Sequence, residues 1–410
     1  MSAANDFMLD KSVEGLLKKL KPVALDALAQ QQFMLFGSGG FANGIIERFG
    51  ANITKRIEYP AALEKIHSQP LTHNWCAPKD ASGTVVIGTG NGNYQYNQLC
   101  ALVENHNIQE VLLVDPYLDL RNIGKAPPQD CILLLEHADG VVRHANHLKS
   151  LKLYFKSKGL TVVSVCPLTL FYYVQYWNCR YVLIFNGQRP LYDIAKSVFS
   201  NRKLTYVEYG FFPQKNYYYL DKKGVNHQSS LMHDDLTWVT SSHIEKLELV
   251  KKQFLNGFEH KSKDYVLVPL QVPDDVNIMN CSRFTNGMQE FIDYIIDYYP
   301  KDEKIVFKAH PKDPHRHSYD YRGYPVSDKN FISLLENAKR VHGITSSTLY
   351  EAALAGVEIV TEGISILSKH SHQLERLFAA MVDRQVKINE LEPAYWVRNY
   401  SNIDCMHEEV

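Results

Sequence analysis

The chain lacks an excess of either charge: 44 basic side chains stand against 45 acidic ones in 410 residues. That excludes the global basic field by which a protein holds nucleic acid through its phosphates. Cysteine is sparse and unpaired in pattern. The seven residues Cys76, Cys100, Cys131, Cys166, Cys179, Cys281 and Cys405 are odd in number and contain no C-x-x-C. They supply neither a disulfide framework nor a structural zinc site, and they point to a reducing compartment. No P-loop, no G-x-S-x-G elbow and no D-x-D pair after a strand occurs. The signatures of P-loop hydrolases, serine hydrolases and metal-dependent sugar transferases are therefore missing. Internal repeats and low-complexity segments are absent too. Residues 1–10 are polar and carry no apolar core segment, so no signal peptide is expected there.

What is present is ordinary for a soluble globular protein: 45% hydrophobic and 22% charged residues. The length exceeds one ordinary core and suits two domains. Tyrosine is frequent, at 25 residues. Tyrosines line sugar and base sites, but packing with the polar tip outward is the simpler account of any single one. Residues 159–179 carry no charge and have the length of a membrane span. Ser164, Pro167, Gln175 and Asn178 interrupt them. The stretch reads better as a strand over 160–165, broken by Pro167 and followed by an aromatic-rich helix. Residues 11–32 predict an amphipathic helix with Lys18, Lys19 and Lys21 on a solvated face; an anionic surface is the alternative partner for those lysines.

Short apolar runs alternate with helix-like segments. They lie at 33–36, 84–87, 110–114, 131–135, 160–165, 181–185 and 204–208. Several are rich in Val, Ile and Leu without polar alternation, as strands of a parallel sheet buried on both faces are. The first half is therefore an α/β layer domain. A charged helical stretch at 241–261 leads to further strands at 265–270, 304–308, 340–344 and 358–361. Helical patterns lie between them at 287–299, 330–338 and 348–355. A helical tail follows at 370–397. The expected architecture is α/β and of GT-B type. Two Rossmann-like domains, 1–240 and 241–369, would place their parallel sheets facing a cleft, with a C-terminal helical tail at 370–410. Ligands of open α/β sheets sit beyond the carboxyl ends of the strands.

Candidate sites follow from that placement. Gly37-Ser-Gly-Gly40 and Gly88-Thr-Gly90-Asn-Gly92 each follow a strand and could bring backbone N–H groups to a ligand. The first does not read as a dinucleotide fingerprint, and plain turn glycines account for both. Phe307-Lys308-Ala-His310-Pro311 ends a strand, and alternation points Lys308 and His310 the same way. One βαβ unit later, Thr345-Ser346-Ser347-Thr348 opens a helix with Glu351 one turn inside. Capping explains such hydroxyls in most proteins, and Glu351 would suit a capping box. Beside the His-Pro loop, the combination favours a nucleotide phosphate. Glu208, in Tyr206-Val-Glu208-Tyr-Gly210-Phe, ends an apolar strand. Asp274 and Asp275 follow the first strand of the second domain. Carboxylates on two sides of a bond suit acid–base and nucleophilic glycosyl chemistry, although each alone reads as a capping or solvated residue. His315, Arg316 and His317 find no second cluster to complete a metal site and read as a basic loop.

Taken in order, Asn186-Gly-Gln-Arg189-Pro, Glu208-Tyr-Gly-Phe, Asp221-Lys-Lys-Gly224-Val-Asn226, Ser229-Ser230, Leu270-Gln271-Val-Pro-Asp-Asp275, Lys308-Ala-His310-Pro311 and Thr345-Ser346-Ser347 to Gly356 resemble the capsule-polysaccharide biosynthesis family of bacterial retaining β-Kdo transferases. The resemblance covers residues 180–365. It implies a GT-B fold, CMP-Kdo as donor without a metal or other cofactor, and a glycan or glycolipid acceptor of the bacterial surface, in lipopolysaccharide O-antigen or capsule. It implies Asp275 as the nucleophile, Glu208 as acid/base, and His310 with Ser346 or Ser347 on the cytidylate phosphate. Gln271 and Arg189 would touch the donor or its carboxylate, and Lys308 and Glu351 would complete the donor pocket. The implied place is the cytoplasm, with peripheral contact to the inner face of the inner membrane. Tyr209 stands where some relatives carry an acid, and residues 1–150 match no part of the pattern. Rival readings are an inverting CMP-sugar transferase of the sialyltransferase kind, a sugar-nucleotide or glycan-binding module without catalysis, and a phosphorylase or epimerase.

Overall fold

The computed structural model describes residues 9–58, 75–272, 275–313 and 315–404. Cys405, residues 1–8 and Asp274 lie outside them. The chain divides into two compact units, Met1–Tyr206 with Asn389–Val410, and Val207–Ile388. The sequence reading placed its boundary later, after residue 240.

The first unit holds two sheets, where the sequence suggested a single layered domain. The strands of the first are β1 (Leu20–Val23), β2 (Phe33–Phe36), β3 (Ile53–Ile57), β4 (Trp75–Cys76), β5 (Gly83–Ile87) and β6 (Ile108–Val114). They lie in the order β1-β6-β5-β2-β3-β4, and every pairing is parallel. Phe33, Leu35, Val86, Leu112 and Val114 form a core with Ala42, Ile45 and Phe49 from the helix Gly40–Phe49. Residues 11–32 do not form the single helix that their pattern predicts. A helix covers Lys11–Leu17, β1 follows, and a 3-10 turn covers Leu25–Gln30. Pro22 lacks the N–H that continuing a helix needs, and β1 lies at a sheet edge, where a proline is tolerated.

The second sheet begins with β7 (Cys131–Leu135), β8 (Thr161–Val165) and β9 (Tyr181–Phe185), with β8 and β9 flanking β7 in parallel. Every residue of β7 and β9 is buried, as their unbroken apolar composition requires. Arg121, itself buried, pairs with Asp115 and donates to the Glu136 carbonyl and the Ser164 hydroxyl, both at 3.1 Å. It thereby ties the end of β6 to β7 and β8. The uncharged stretch at 159–179 contains β8 and then two 3-10 turns, Pro167–Thr169 and Val174–Asn178, in place of the expected helix. Among the described residues no helix is long and apolar enough to cross a membrane.

Strand β10 (Leu204–Tyr209) runs across the division between the units. The second unit then pairs β11 (Tyr217–Asp221) antiparallel with β16 (Gln385–Lys387). The region expected as a helical tail thus contains a strand between the helices Leu374–Arg384 and Ala394–Tyr400. Its main sheet has the order β13-β12-β14-β15, all parallel, from β12 (Tyr265–Pro269), β13 (Ile305–Lys308), β14 (Ala338–Gly343) and β15 (Glu358–Thr361). These strands match the apolar runs of the sequence to within about two residues at each end. Val266, Val268 and Phe307 pack under the helix Met288–Tyr298 through Met288, Phe291, Ile292 and Ile295. That packing fixes the carboxyl ends of β12, β13 and β14, and the loops that leave them carry the site.

Candidate donor-binding and catalytic site

The loop after β12 brings Gln271 and Asp275 together. Gln271 is buried and its carboxamide works in two directions. Nε2 donates to Asp275 Oδ2 at 3.0 Å and to Thr345 Oγ1 at 3.3 Å, while Oε1 accepts the Thr345 N–H at 3.0 Å. A single glutamine therefore clamps the Asp275 carboxylate to the loop that leaves β14. The other oxygen, Oδ1, caps the helix Val276–Cys281, accepting from the Asn277 N–H at 2.9 Å and the Asn277 amide at 3.1 Å. An N-cap aspartate is fixed by the orphan N–H groups of the first turn. Asp275 is thus held at both oxygens, in one orientation.

His310 follows β13 and lies within electrostatic reach of Asp275. Burial, then the neighbouring Lys312, pushes its pKa below the ordinary histidine value. The ring is neutral near pH 7. Its Nδ1 accepts the Lys312 N–H at 3.2 Å, which assigns the proton to Nε2 and leaves that nitrogen as a donor. Buried Asp313 shapes the same loop by accepting from the His315 N–H and the Tyr319 hydroxyl, both at 2.8 Å. Lys308 is half-buried, and its Nζ donates to the Lys329 carbonyl at 2.8 Å. Arg316 is spent on loop backbone, at 3.1 Å to the Pro311 carbonyl. No group of His, Cys, Asp and Glu that could hold a metal occurs among the described residues.

After β14 the hydroxyls divide their work. Ser346 Oγ lies 2.8 Å from Thr348 Oγ1 and accepts the Thr348 N–H at 3.3 Å. Ser347 is the residue before the helix Thr348–Leu354, and its side chain makes no cap bond. Glu351 does not build the capping box that its spacing suggests; its side chain makes no hydrogen bond or ion pair among the described residues, and burial alone pushes its pKa up to about 6.

Glu208 sits at the end of β10, half-buried, and its Oε1 accepts the Tyr209 N–H at 2.9 Å. It lies within electrostatic reach of the buried Tyr219 hydroxyl, whose pKa is raised by burial first and by Glu208 next. Tyr219 in turn accepts the Asn226 N–H at 3.1 Å. The turn Asn226–Gln228 packs against the helix that Asp275 caps. Glu208 is therefore linked to the Asp275 loop through Tyr219. Arg189 lies in the other unit, just beyond β9, within electrostatic reach of His137.

Part of the sequence pattern proves to be scaffolding. Asp221 is buried, and its Oδ1 accepts the Lys223 N–H at 2.8 Å. Its Oδ2 accepts from Ser229 Oγ at 2.7 Å, the Ser230 N–H at 2.9 Å and Ser230 Oγ at 2.8 Å. Arg384 closes the knot, 3.5 Å from Asp221, 2.6 Å from Ser230 Oγ and 2.8 Å from Asp234. Asp221, Ser229 and Ser230 thus serve to shape this loop. Thr345, Asn277 and Tyr219 are the contacts that residue-by-residue reading passed over. Thr345 adjoins the two serines in sequence, whereas nothing in the sequence marks Tyr219 among its many neighbours of the same type.

Comparison with known proteins finds a partial match over the same loops. Residues 239–370 match the model of the capsule polysaccharide biosynthesis proteins. That stretch contains Gln271, Asp275, Lys308, His310, Ser346, Ser347 and Glu351. Protein FixF of Sinorhizobium fredii is 25% identical over 230 residues, 51% of this chain and 56% of its own. The chain thus spans about half the length of that curated relative. Among solved structures, the β-Kdo 2,7 transferase of Thermosulfurimonas dismutans KpsC superposes with a TM-score of 0.47 at 16% identity, covering 62% of this chain and 90% of its own. The β-Kdo 2,4 transferase of the same protein gives 0.44 at 14%, with the same coverage.

Proposed function

We propose that this chain is a retaining glycosyltransferase of bacterial surface-polysaccharide synthesis that transfers β-Kdo from CMP-Kdo. The observation that carries the reading is the clamp of Gln271 on Asp275 and Thr345, with the His310 donor alongside, inside the stretch that matches the capsule family.

The cytidylate phosphate would accept from His310 Nε2 and from the hydroxyls of Ser346 and Ser347. Preorganised donors of this kind offset charge as it develops on the leaving group. Phosphate departs readily, so the chemistry asks for no metal. Asp275 Oδ2 forms a bond to the anomeric carbon as the bond from that carbon to the phosphate oxygen breaks and CMP leaves. The acceptor hydroxyl then gives its proton to Glu208 and attacks the same carbon, releasing the Asp275 carboxylate. Two displacements retain the anomeric configuration. Glu351 and Lys308 would border the donor pocket. The acceptor is a glycan or glycolipid, and its membrane would be met peripherally.

Asp275→Asn tests the assignment. The variant should lose at least about 10³-fold in CMP release with acceptor present, since removal of a nucleophile can cost up to ~10⁶-fold. Its affinity for CMP should stay within about threefold, because the amide oxygen keeps the helix cap and the phosphate contacts lie on other residues, although its NH2 can no longer accept from Gln271 Nε2. Unchanged turnover would refute a nucleophilic role for Asp275.

A further inference from the structure

The sheet of residues 20–114 lies wholly outside the stretch that matches the capsule family. Read from its other edge, its order is β4-β3-β2-β5-β6-β1. Counted from β2 as the first strand, this is the parallel order 3-2-1-4-5-6 of a doubly wound dinucleotide-binding sheet, with β1 from earlier in the chain filling the sixth place. The chain leaves β2 toward β3 and β4, and leaves β5 toward β6. The winding therefore reverses between β2 and β5, and the crevice beyond their carboxyl ends is the topological switch point where such sheets bind ligands.

Both glycine loops border that crevice. Gly37-Ser-Gly39-Gly-Phe-Ala42 has the G-x-G-x-x-A spacing once Ala42 is counted in the last place. Gly37 has φ +124°, and a Cβ there would come 3.1 Å from the Gly88 carbonyl oxygen. At Gly88 a Cβ would strike the Phe36 carbonyl oxygen at 2.6 Å, and Ala42 Cβ would lie 3.3 Å away. Ala42 is fully buried, so the helix Gly40–Phe49 packs close to the sheet there. In contrast, nothing lies within 4 Å of a Cβ placed on Gly39 or Gly40, and no side chain caps that ten-residue helix. The helix start is thus free of a capping side chain, and such a start is an anion-binding site. Glu58, 4% exposed, follows the last residue of β3, about 20 residues after Gly37, where such sheets carry the acid that accepts from ribose hydroxyls. Arg56 links the two places: it donates to the Gly37 carbonyl at 2.6 Å and lies within electrostatic reach of Glu58.

A second observation points to an occupant. Gln95 and Gln98 are 1% and 6% exposed, and the Oε1 atom of each has no donor among the described residues. The Gln98 carboxamide is aimed at the loop, its Nε2 lying 3.0 Å from where a Gly37 Cβ would be. Gln95 is anchored to the other loop through Nε2, at 2.8 Å to the Thr89 carbonyl. A buried acceptor left without a donor is destabilising. Two of them beside one crevice make a wall that accepts N–H or O–H groups from a ligand.

We propose that this sheet binds a nucleoside diphosphate at the β2/β5 crevice, independently of glycosyl transfer. The diphosphate lies on the Gly39–Gly40 helix start, and a ribose without a 2′-phosphate lies on Glu58. Two sources carry this chemistry, a dinucleotide such as NAD(H) and a nucleotide sugar.

The test is calorimetric titration of the full chain with NAD⁺, NADH, NADPH, UDP-N-acetylglucosamine and CMP, in parent protein, Gly39→Asp and Glu58→Gln. Binding of NAD(H) identifies the dinucleotide, and binding of the UDP-sugar identifies the nucleotide sugar. The nicotinamide reduced form with a 2′-phosphate should bind at least about tenfold more weakly than NADH, because Glu58 repels it, and Glu58→Gln should narrow that gap. Gly39→Asp places a good N-cap on the helix, so a purely structural loop keeps or raises its melting temperature; the carboxylate nevertheless abolishes phosphate binding. CMP should not compete, and CMP release in the transfer assay should be unchanged in both variants. The proposal is overturned if none of the diphosphates binds, if Gly39→Asp binds as the parent does, or if CMP displaces the ligand, which would place it in the donor pocket of the other unit.

Discussion

Asp275 has both carboxylate oxygens occupied, one by the helix it caps and one by Gln271. Replacing Gln271 with Ala removes the second hold while leaving the nucleophile. Turnover should fall on the order of 10²-fold, the effect of a small misplacement at a reacting centre. Measured kcat should drop more than the affinity for CMP, and an effect confined to KM would instead make Gln271 a donor contact only. Glu351 offers a test by acidity. Its folded pKa of about 6 is raised above the unfolded value of 4.5, so the native state binds the extra proton between these values. Stability from this group is present below pH 4.5 and falls as pH rises through 6. Glu351→Gln should therefore stabilise the protein by up to ~2 kcal/mol at pH 7 and by nearly nothing at pH 4. Thermal melts at the two pH values check this, and an equal shift at both would show that ionisation is not the cause.

At the scale of elements, the motifs divide into chemistry and scaffold. Asp221, Ser229, Ser230 and Arg384 make a buried knot that shapes the loop after β11. Asp221→Ala leaves Arg384 paired with Asp234 but takes the acceptor from the Ser229 and Ser230 hydroxyls and the Ser230 N–H, and should cost about 1–3 kcal/mol, read as a fall in melting temperature. A catalytic role for Asp221 would show as lost turnover with an unchanged melt. Which elements the sequence made legible follows from burial. Runs such as 131–135 and 181–185 are apolar on both faces and announce central strands. Strand β3 carries Thr54, Lys55 and Arg56 and has only its last two residues buried. Strand β1 contains Pro22, and β16 is three residues long. Strands that are short, at an edge or exposed along part of their length carry little apolar signal, so these were hidden. The helix expected over 11–32 failed for the same reason: charge spacing imitates a helical face while Pro22 forbids one.

For the whole molecule, three sheets stand where the sequence suggested two, because the apolar runs of the first half divide between two sheets. The α/β class and the parallel sheets were legible from unbroken Val, Ile and Leu runs. Within the site, the residues of the second unit were legible as motifs at strand ends, since chemistry-bearing side chains there follow directly from strand direction. What the motifs did not reveal was partnership: that Gln271 grips Asp275, that Lys308 is engaged by the Lys329 carbonyl, and that Asp221 holds a loop. Those depend on contacts between residues far apart in sequence. The central claim is met most directly by incubating the protein with CMP-Kdo, generated in situ, and a panel of lipid and oligosaccharide acceptors, then reading the product by mass and NMR. The account predicts a β-linked Kdo product and CMP released in equal amount. An inverted anomeric linkage, or no transfer and no CMP release with any acceptor, would contradict it.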